Sequence, residues 1–492
     1  MFSQKRVFKD FGVYFASALS NGGIAFVFII LVANFMPTEE YGRASSALAM
    51  CGMFSLLSMM GLNQGYIILQ KNKEFNEKDS ILSSAHIGSI IGFGLVSILL
   101  AFFWKQTSMF FLEHEMPYSY LIPCLFLVLA TILTEMNNVR MRYSYQKKLV
   151  LVTGIINGLL YSSLSIVLLL AVSNHSSMLL WSSSITLLLV ALYIYFKHGL
   201  PIKFNWMRSD LFKSLYRISA PLGLTALIAV VPAIASRTIL IHFGNGLTDV
   251  AVYALALSLA QPMTLITSAF LSAWGPHMLD HHADESFRNK VNAITITLLL
   301  VITVGSQIMQ IVIEVLLPYT VEKEDLQVAA NVSALFSLTV GLRMLGSVFS
   351  SGYIYKGKSF HSLWIQATAI LVATASSYVL VFHFKLSIVG VVLGELFGVL
   401  IYLVVGSYVS NRYLPIRMQY VKLFVFGILS ITLAILSTKA NGVGTLSFMN
   451  NISFLMMQLI LSAFFFKSHI QSVAKTIKHK WVNRLNIRVK ER

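Results

Sequence analysis

Apolar runs of about 20 residues, the length a helix needs to cross hydrocarbon, follow one another along the whole chain. Short polar segments separate them and carry most of the charge. The pattern predicts fourteen membrane-spanning helices, at 12–35, 41–69, 80–104, 118–139, 149–173, 176–196, 218–243, 250–277, 291–317, 327–355, 360–384, 387–410, 421–438 and 446–466. The longest connection, at 197–217 (KHGLPIKFNWMRSDLFKSLYR), leaves no room for a soluble catalytic domain between spans. Function is therefore expected inside the helix bundle.

Six spans precede that connection, and six more follow it before a final pair. The expected organisation is all-α and polytopic. It has an N-terminal lobe over 1–200, a cytosolic linker over 201–217, a C-terminal lobe over 218–415, an extra helix pair over 416–466 and a basic tail over 467–492. The lobes echo each other. VANFMPTEEYGRASSALAM in the first and IHFGNGLTDVAVYALALSL in the second each join a long span, a short loop, an acidic residue (Glu40, Asp249) and a Tyr (Tyr41, Tyr253) that opens a small-residue helix. An even number of spans per lobe implies a parallel repeat, related by a pseudo-two-fold axis along the membrane normal. Gly390, Gly394 and Gly398 recur every four residues, as do Gly61 and Gly65. Such spacing lets helix backbones approach closely, within one chain or across a dimer.

Composition confirms the class. Hydrophobic residues make up 56%, charged residues 12%, and the mean hydropathy is +0.74. Soluble domains carry about 25% charged residues. The net charge of +17 changes meaning once its charges are placed: with the N-terminus in the cytosol, 30 of the 37 Lys and Arg fall on the cytosolic side, 4 outside, and 3 in or at spans. That asymmetry is the positive-inside rule, so the basic balance is a topology signal and not a nucleic-acid footprint. Both termini are expected in the cytosol, and Lys5, Arg6 and Lys9 precede a first span that reads as retained. In the tail, Ile470, Val473, Ile477, Trp481 and Leu485 form one apolar stripe among eight basic residues. This fits a helix lying on anionic lipid, the alternative being a plain tail that fixes orientation. Cys51 and Cys124 fall within apolar runs and read as small fillers.

Charge at membrane depth is costly and marks candidate sites. Arg237 falls in the outer third of the seventh span, Arg343 in the middle to inner half of the tenth, Glu395 near the middle of the twelfth, and Arg43 at the outer mouth of the second. An arginine keeps its charge when partly buried and grips phosphate through a bidentate fork. Arg343, Arg237 and Arg43 are thus candidate substrate-binding residues, with structural pairing to Glu395, or snorkelling to the interface, as the plainer account. Glu395 reads as a proton- or ion-coupling group, or as a structural partner. Pro221 and Pro232 should bend the seventh span. His277, Asp280, His281 and His282 cluster at a span end without a full ligand set, and there is no phosphate-binding loop, GxSxG or CxxC. No catalytic residue, metal or cofactor is expected.

The segment FMPTEEYGRASSALAMCGMFSLLSMMGLNQGYIILQ resembles the second-span signature of the polysaccharide transporter family. The segment RISAPLGLTALIAVVPAIASRTILIHFGNGLTDVAVYALALSLAQPMTLITSAF, followed by WGPHML, resembles that family's seventh and eighth spans. The resemblance covers about 1–415. It implies a Wzx-type O-antigen or capsule repeat-unit flippase of the multidrug/oligosaccharidyl-lipid/polysaccharide superfamily, with two six-helix lobes around a cationic cavity. The substrate implied is an undecaprenyl-diphosphate-linked oligosaccharide, flipped in the bacterial inner membrane. Membrane lipids and the polysaccharide polymerase machinery are the further partners, and nucleic acid is none. Many relatives carry an acid beside the Arg of the seventh span, whereas Ser236 precedes Arg237 here. The expected mechanism has Arg343 capturing the diphosphate from inside and Arg237 receiving it nearer the outer face. A drug or cation exporter of the same superfamily, a lipid II-type flippase and a membrane glycosyltransferase or polymerase are the rivals.

Overall fold

Helices dominate because hydrocarbon offers no hydrogen-bond partners, so each span must satisfy its backbone within itself. The computed structural model describes residues 34–70, 75–143, 147–173, 175–199, 209–267, 285–349, 352–353, 360–413, 419–440 and 445–490, with Phe28, Leu31, Val32 and Phe270. All regular structure among them is helical. In order these are α1 (Thr38–Met59), α2 (Leu62–Gln70), α3 (Phe75–Phe102), α4 (Trp104–Leu112), α5 (Tyr118–Tyr143), α6 (Lys147–Ala171), α7 (Ser176–His198), α8 (Ser209–Phe243), α9 (Leu247–Leu259) and α10 (Gln261–Thr267). Then follow α11 (Glu285–Thr320), α12 (Glu324–Gln327), α13 (Ala329–Phe349), α14 (Phe360–Phe382), α15 (Ser387–Tyr413), α16 (Tyr420–Ala440) and α17 (Thr445–Lys490).

Eleven of these helices are long and apolar enough to cross a membrane, or twelve if α9 and α10, bent by 43° at their junction, count as one span. The fourteen expected spans therefore meet three differences. Most of the first lies outside the described residues, as do the His277–His282 cluster and the side chains of the tail beyond Gln471. The eighth is bent. The second is broken, because Met60 and Gly61 adopt left-handed backbone (φ 45° and 74°) and end α1. α1 is also less apolar than its neighbours: it carries Arg43 and many small residues, and it is wrapped by α3, α5, α7, α8 and α9. Pro221 and Pro232 both lie inside α8, which remains one helix of 35 residues.

α1 to α7 pack among themselves, as do α8 to α15, and α16 and α17 attach to α11 and α13. That last pair is fastened by polar contacts: Asn451 donates to Glu314, and His469 Nε2 meets Thr297 Oγ1 at 2.9 Å. α17 breaks at Phe466, which is buried against Phe426. The glycine stripe of α15 packs inside the chain, since Gly394 and Gly398 lie against Ser377, Ala369 and Ala373 of α14. Large apolar side chains such as Phe102, Phe196 and Leu371 are more than two-thirds exposed, a face suited to lipid. Cys51 and Cys124 are free and buried.

The two groups of helices meet along two seams. On the face that the charge count assigns to the outside, Asn34 Nδ2 donates to Thr320 O at 2.6 Å. The Glu322 amide donates to Asn34 Oδ1 at 3.1 Å, and Lys323 Nζ donates to Met36 O. Near the opposite face, Gly61 lies against Ser219 and Gly223 of α8, and Gly65 against Ser219.

Candidate functional site

Four helices bring charge together between those seams. α8 supplies Ser236 and Arg237, α9 Tyr253, α13 Arg343, and α15 Glu395. Glu395 Oε1 accepts hydrogen bonds from Ser236 Oγ and Tyr253 OH, both at 2.7 Å. Its Oε2 lies 3.9 Å from Arg343 Nη2, beyond hydrogen-bond range. At about 1.5 Å rise per residue, Arg343 lies about 21 Å along α13 from its outer end and Glu395 about 12 Å along α15. The length of the arginine side chain spans the difference.

The two buried-span arginines differ in kind. Arg237 is 9% exposed and each of its three nitrogens donates a hydrogen bond: Nε and Nη2 donate to Ser45 Oγ of α1 at 3.3 and 3.1 Å, and Nη1 donates to Ala233 O at 2.7 Å. Its guanidinium also lies 5.2 Å from the centre of the Tyr253 ring, a cation–π contact. Arg237 thus ties α8 to α1 across the two helix groups. Arg343 is 51% exposed at the side chain, although 83% of its span is buried. Its guanidinium stands beside Glu395, which α8 and α9 enclose. Among the described residues Arg343 is a cation at membrane depth whose N–H groups make no hydrogen bond.

Arg43 plays a third part. It donates to Glu40, whose Oε2 accepts the Ser176 amide at 2.8 Å. A carboxylate on the first amides of α7 neutralises unpaired donors and the positive end of the helix. Arg43 therefore stands at the outer mouth within a capping arrangement, apart from Arg237, Arg343 and Glu395. Among the described residues no group of His, Cys, Asp and Glu could hold a metal ion. A small cleft beside the cluster is lined by Ala235, Ser236, Ala373, Thr374 and Glu395.

Sequence reasoning singled out the charges and missed the hydroxyls that organise them. Ser236 occupies the position beside Arg237 where the family resemblance led us to expect an acid, and it binds a carboxylate that arrives from α15, 159 residues away. Tyr253 stood out only as a mark of the repeat, yet it touches both Glu395 and Arg237. Ser45 carried no signal.

Membrane-length helices that gather two arginines and one glutamate define a polytopic helical membrane protein with charge held at membrane depth. The sequence model of the family described as polysaccharide biosynthesis protein matches residues 7–282, more than half of the chain, and the chain belongs to that family. No curated protein sequence matches it. Among solved structures, the lipid II flippase MurJ in an inward closed conformation is similar at 14% identity and TM-score 0.68, covering 93% of this chain and 99% of that one. An inward-facing multidrug resistance MATE family transporter of the MOP superfamily aligns at 14% identity and TM-score 0.62, covering 79% of this chain and 93% of its own. VcmN, a MATE transporter from Vibrio cholerae, gives 14% identity and TM-score 0.57 over 83% of this chain and 96% of that one. At such identities the likeness establishes a shared fold.

Proposed function

We propose that this protein flips an undecaprenyl-diphosphate-linked oligosaccharide repeat unit from the cytosolic to the outer leaflet of the bacterial inner membrane by alternating access. It makes and breaks no covalent bond. One observation carries the reading: Arg343 holds a half-exposed guanidinium at membrane depth, on an otherwise buried helix and 3.9 Å from Glu395. Moving a diphosphate and its sugars through hydrocarbon strips hydrogen bonds that cost several kcal/mol each, about 2–7, if unreplaced. A guanidinium offers a planar fork to phosphate oxygens and stays ionised throughout. The polyprenyl chain remains in lipid.

Arg237 is the second station. Two of its N–H groups are bonded to Ser45 of the opposing helix group, so parting α1 from α8 frees them for an anion. Arg237 then receives the diphosphate on the outer side. Membrane lipids surround the bundle, both termini lie in the cytosol, and the polysaccharide polymerase machinery takes the product. A drug or cation exporter is disfavoured because Glu395, the carboxylate at the centre, is already bonded by two hydroxyls and faced by Arg343.

Replacing Arg343 by Ala should abolish surface glycan and leave lipid-linked repeat units on the cytosolic leaflet, with Arg343→Lys retaining part of the activity. Glycan staining together with leaflet-selective labelling of the lipid intermediate reads both. Normal glycan display from a stably expressed Arg343→Ala protein would overturn the assignment.

A further inference from the structure

The arrangement around Glu395 is asymmetric, and the asymmetry bears on how Arg343 works. One carboxylate oxygen is saturated by Ser236 and Tyr253 at 2.7 Å each. The other has no hydrogen bond among the described residues and stands 3.9 Å from Arg343 Nη2. Glu395 is 8% exposed at its side chain and Arg343 is 51% exposed. The carboxylate is held still while the guanidinium retains its freedom and its open side. A closed, bidentate pair would consume the fork that recognises phosphate. An arginine with no counter-charge at this depth would be strained by its own desolvation. The observed geometry lies between these extremes.

We propose that Glu395 is a placeholder anion for the substrate, the resting counter-ion of Arg343 that a diphosphate displaces on binding and that returns to help expel it. Ser236 and Tyr253 are positioning residues that hold the carboxylate back from Arg343. This inference rests on the reading of Arg343 as the diphosphate-binding residue and names what regulates its affinity. A diphosphate brings more charge and more acceptor oxygens than one pinned carboxylate oxygen, so it wins the guanidinium when present. Once the loaded carrier opens outward, the waiting carboxylate lowers the cost of letting the ligand go. Weak resting pairing therefore serves turnover and not tight binding.

The sign of each substitution follows. In Glu395→Gln the amide oxygen still accepts from Ser236 and Tyr253, but the competing charge is gone. Binding should tighten while turnover falls. In Tyr253→Phe or Ser236→Ala the carboxylate loses a restraint and can close onto Arg343, so binding should weaken. The Tyr253→Phe effect should vanish in a Glu395→Gln background, because no charge remains to release. A purely structural role for these residues would weaken binding in every variant.

The test is equilibrium binding of labelled undecaprenyl diphosphate to purified full-length protein, alongside flipping rates in proteoliposomes and thermal melting as a control of folding. We expect about tenfold tighter binding and at least severalfold slower flipping for Glu395→Gln, and several-fold weaker binding for Tyr253→Phe. If wild type binds the probe and Arg343→Ala does not, yet Glu395→Gln binds no more tightly, the placeholder role is refuted while the substrate reading stands. If wild type and Arg343→Ala bind the probe equally, the reading itself fails and this inference with it. Should Glu395→Gln not fold, Tyr253→Phe decides alone: unchanged or tighter binding overturns the proposal.

Discussion

The outer and inner seams join the same two groups of helices, and both use close glycine packing. A Cβ on Gly42 of α1 would stand 2.2 Å from Leu247 O of α9 at the outer end. Only the outer seam adds a polar latch. That latch is directional: Asn34 exchanges hydrogen bonds with Thr320 O and the Glu322 amide, and Lys323 reaches Met36 O. Below it, at membrane depth, Arg237 clamps Ser45. Inside, the contact is steric: a Cβ on Gly61 would stand 2.4 Å from Gly223 N and Ser219 O, and one on Gly223 would stand 2.4 Å from Met60 C. Hydrogen bonds exchange with water at a net cost of about 0.5–1.5 kcal/mol each, so the latch opens by trading partners. The inner seam holds by close packing of backbone and fails if one methyl group intrudes.

The glycine contacts should therefore be easier to break by a single substitution than the polar latch. Gly223→Ala places a methyl against the Met60–Gly61 backbone, and Gly61→Ala adds a left-handed conformation that only glycine adopts freely. Overpacking of this kind costs about 1–3 kcal/mol, and about 2 kcal/mol lowers the closed population roughly 30-fold. We expect either variant to lose most transport, read as the flipping rate in proteoliposomes. Gly52→Ala, inside α1 with no atom within 4 Å of its Cβ position, should behave as wild type. Equal transport in the Gly52 and Gly223 variants would remove the steric account.

The Arg237 clamp comes next. Arg237→Ala removes the bonds to Ser45 and Ala233 and the contact with Tyr253. A loss of about 1.5–3 kcal/mol is expected for hydrogen bonds to a charged group, together with a severe drop in surface glycan because the second station is gone. Ser45→Ala separates the two effects. It loosens the seam by about 1 kcal/mol and leaves the station intact, so melting temperature should fall while glycan display persists. Loss of glycan in a stable Ser45→Ala protein would show that the tie, and not the charge, is what matters at Arg237.

The difference between seams also explains what could be read from the chain. Spans were legible because lipid forces each apolar run into a helix, whatever its neighbours. Arg237, Arg343 and Glu395 stood out because charge is rare at such depth. The break at Met60–Gly61 was not legible, because Gly61 and Gly65 have the spacing of an ordinary helix-contact stripe. Only the tertiary approach of α8 reveals that Gly61 sits in a left-handed turn. The roles of Ser45, Ser236 and Tyr253 were hidden for another reason. Their partners lie 192, 159 and 142 residues away, and serine and tyrosine are too common in membrane helices to attract notice alone. Pairing across such distances belongs to topology and leaves no local pattern.

The smallest effects are expected at the outer latch, and they carry a pH sign. Asn34→Ala and Lys323→Met each remove contacts between the same two loops, so their effects should be coupled and the double variant should cost less than the sum of the singles. Each single should loosen outer closure by about 0.5–1.5 kcal/mol. Lys323 is partly desolvated, which holds its ammonium below the usual lysine range. Desolvation disfavours the charged form, so closing the latch favours release of a proton. Raising the pH from that lowered value toward the ordinary lysine value of about 10.4 should shift the population toward outer closure, and acidification should shift it back toward opening. Thiol labelling from the outer side, at an Asn331→Cys reporter, accelerates with pH as the thiolate forms, so closure of the latch should make that rise smaller in wild type than in Lys323→Met. A rise of equal size in both would remove Lys323 as the titrating group. The outer seam would then remain a polar latch, but one whose strength does not depend on the charge of Lys323.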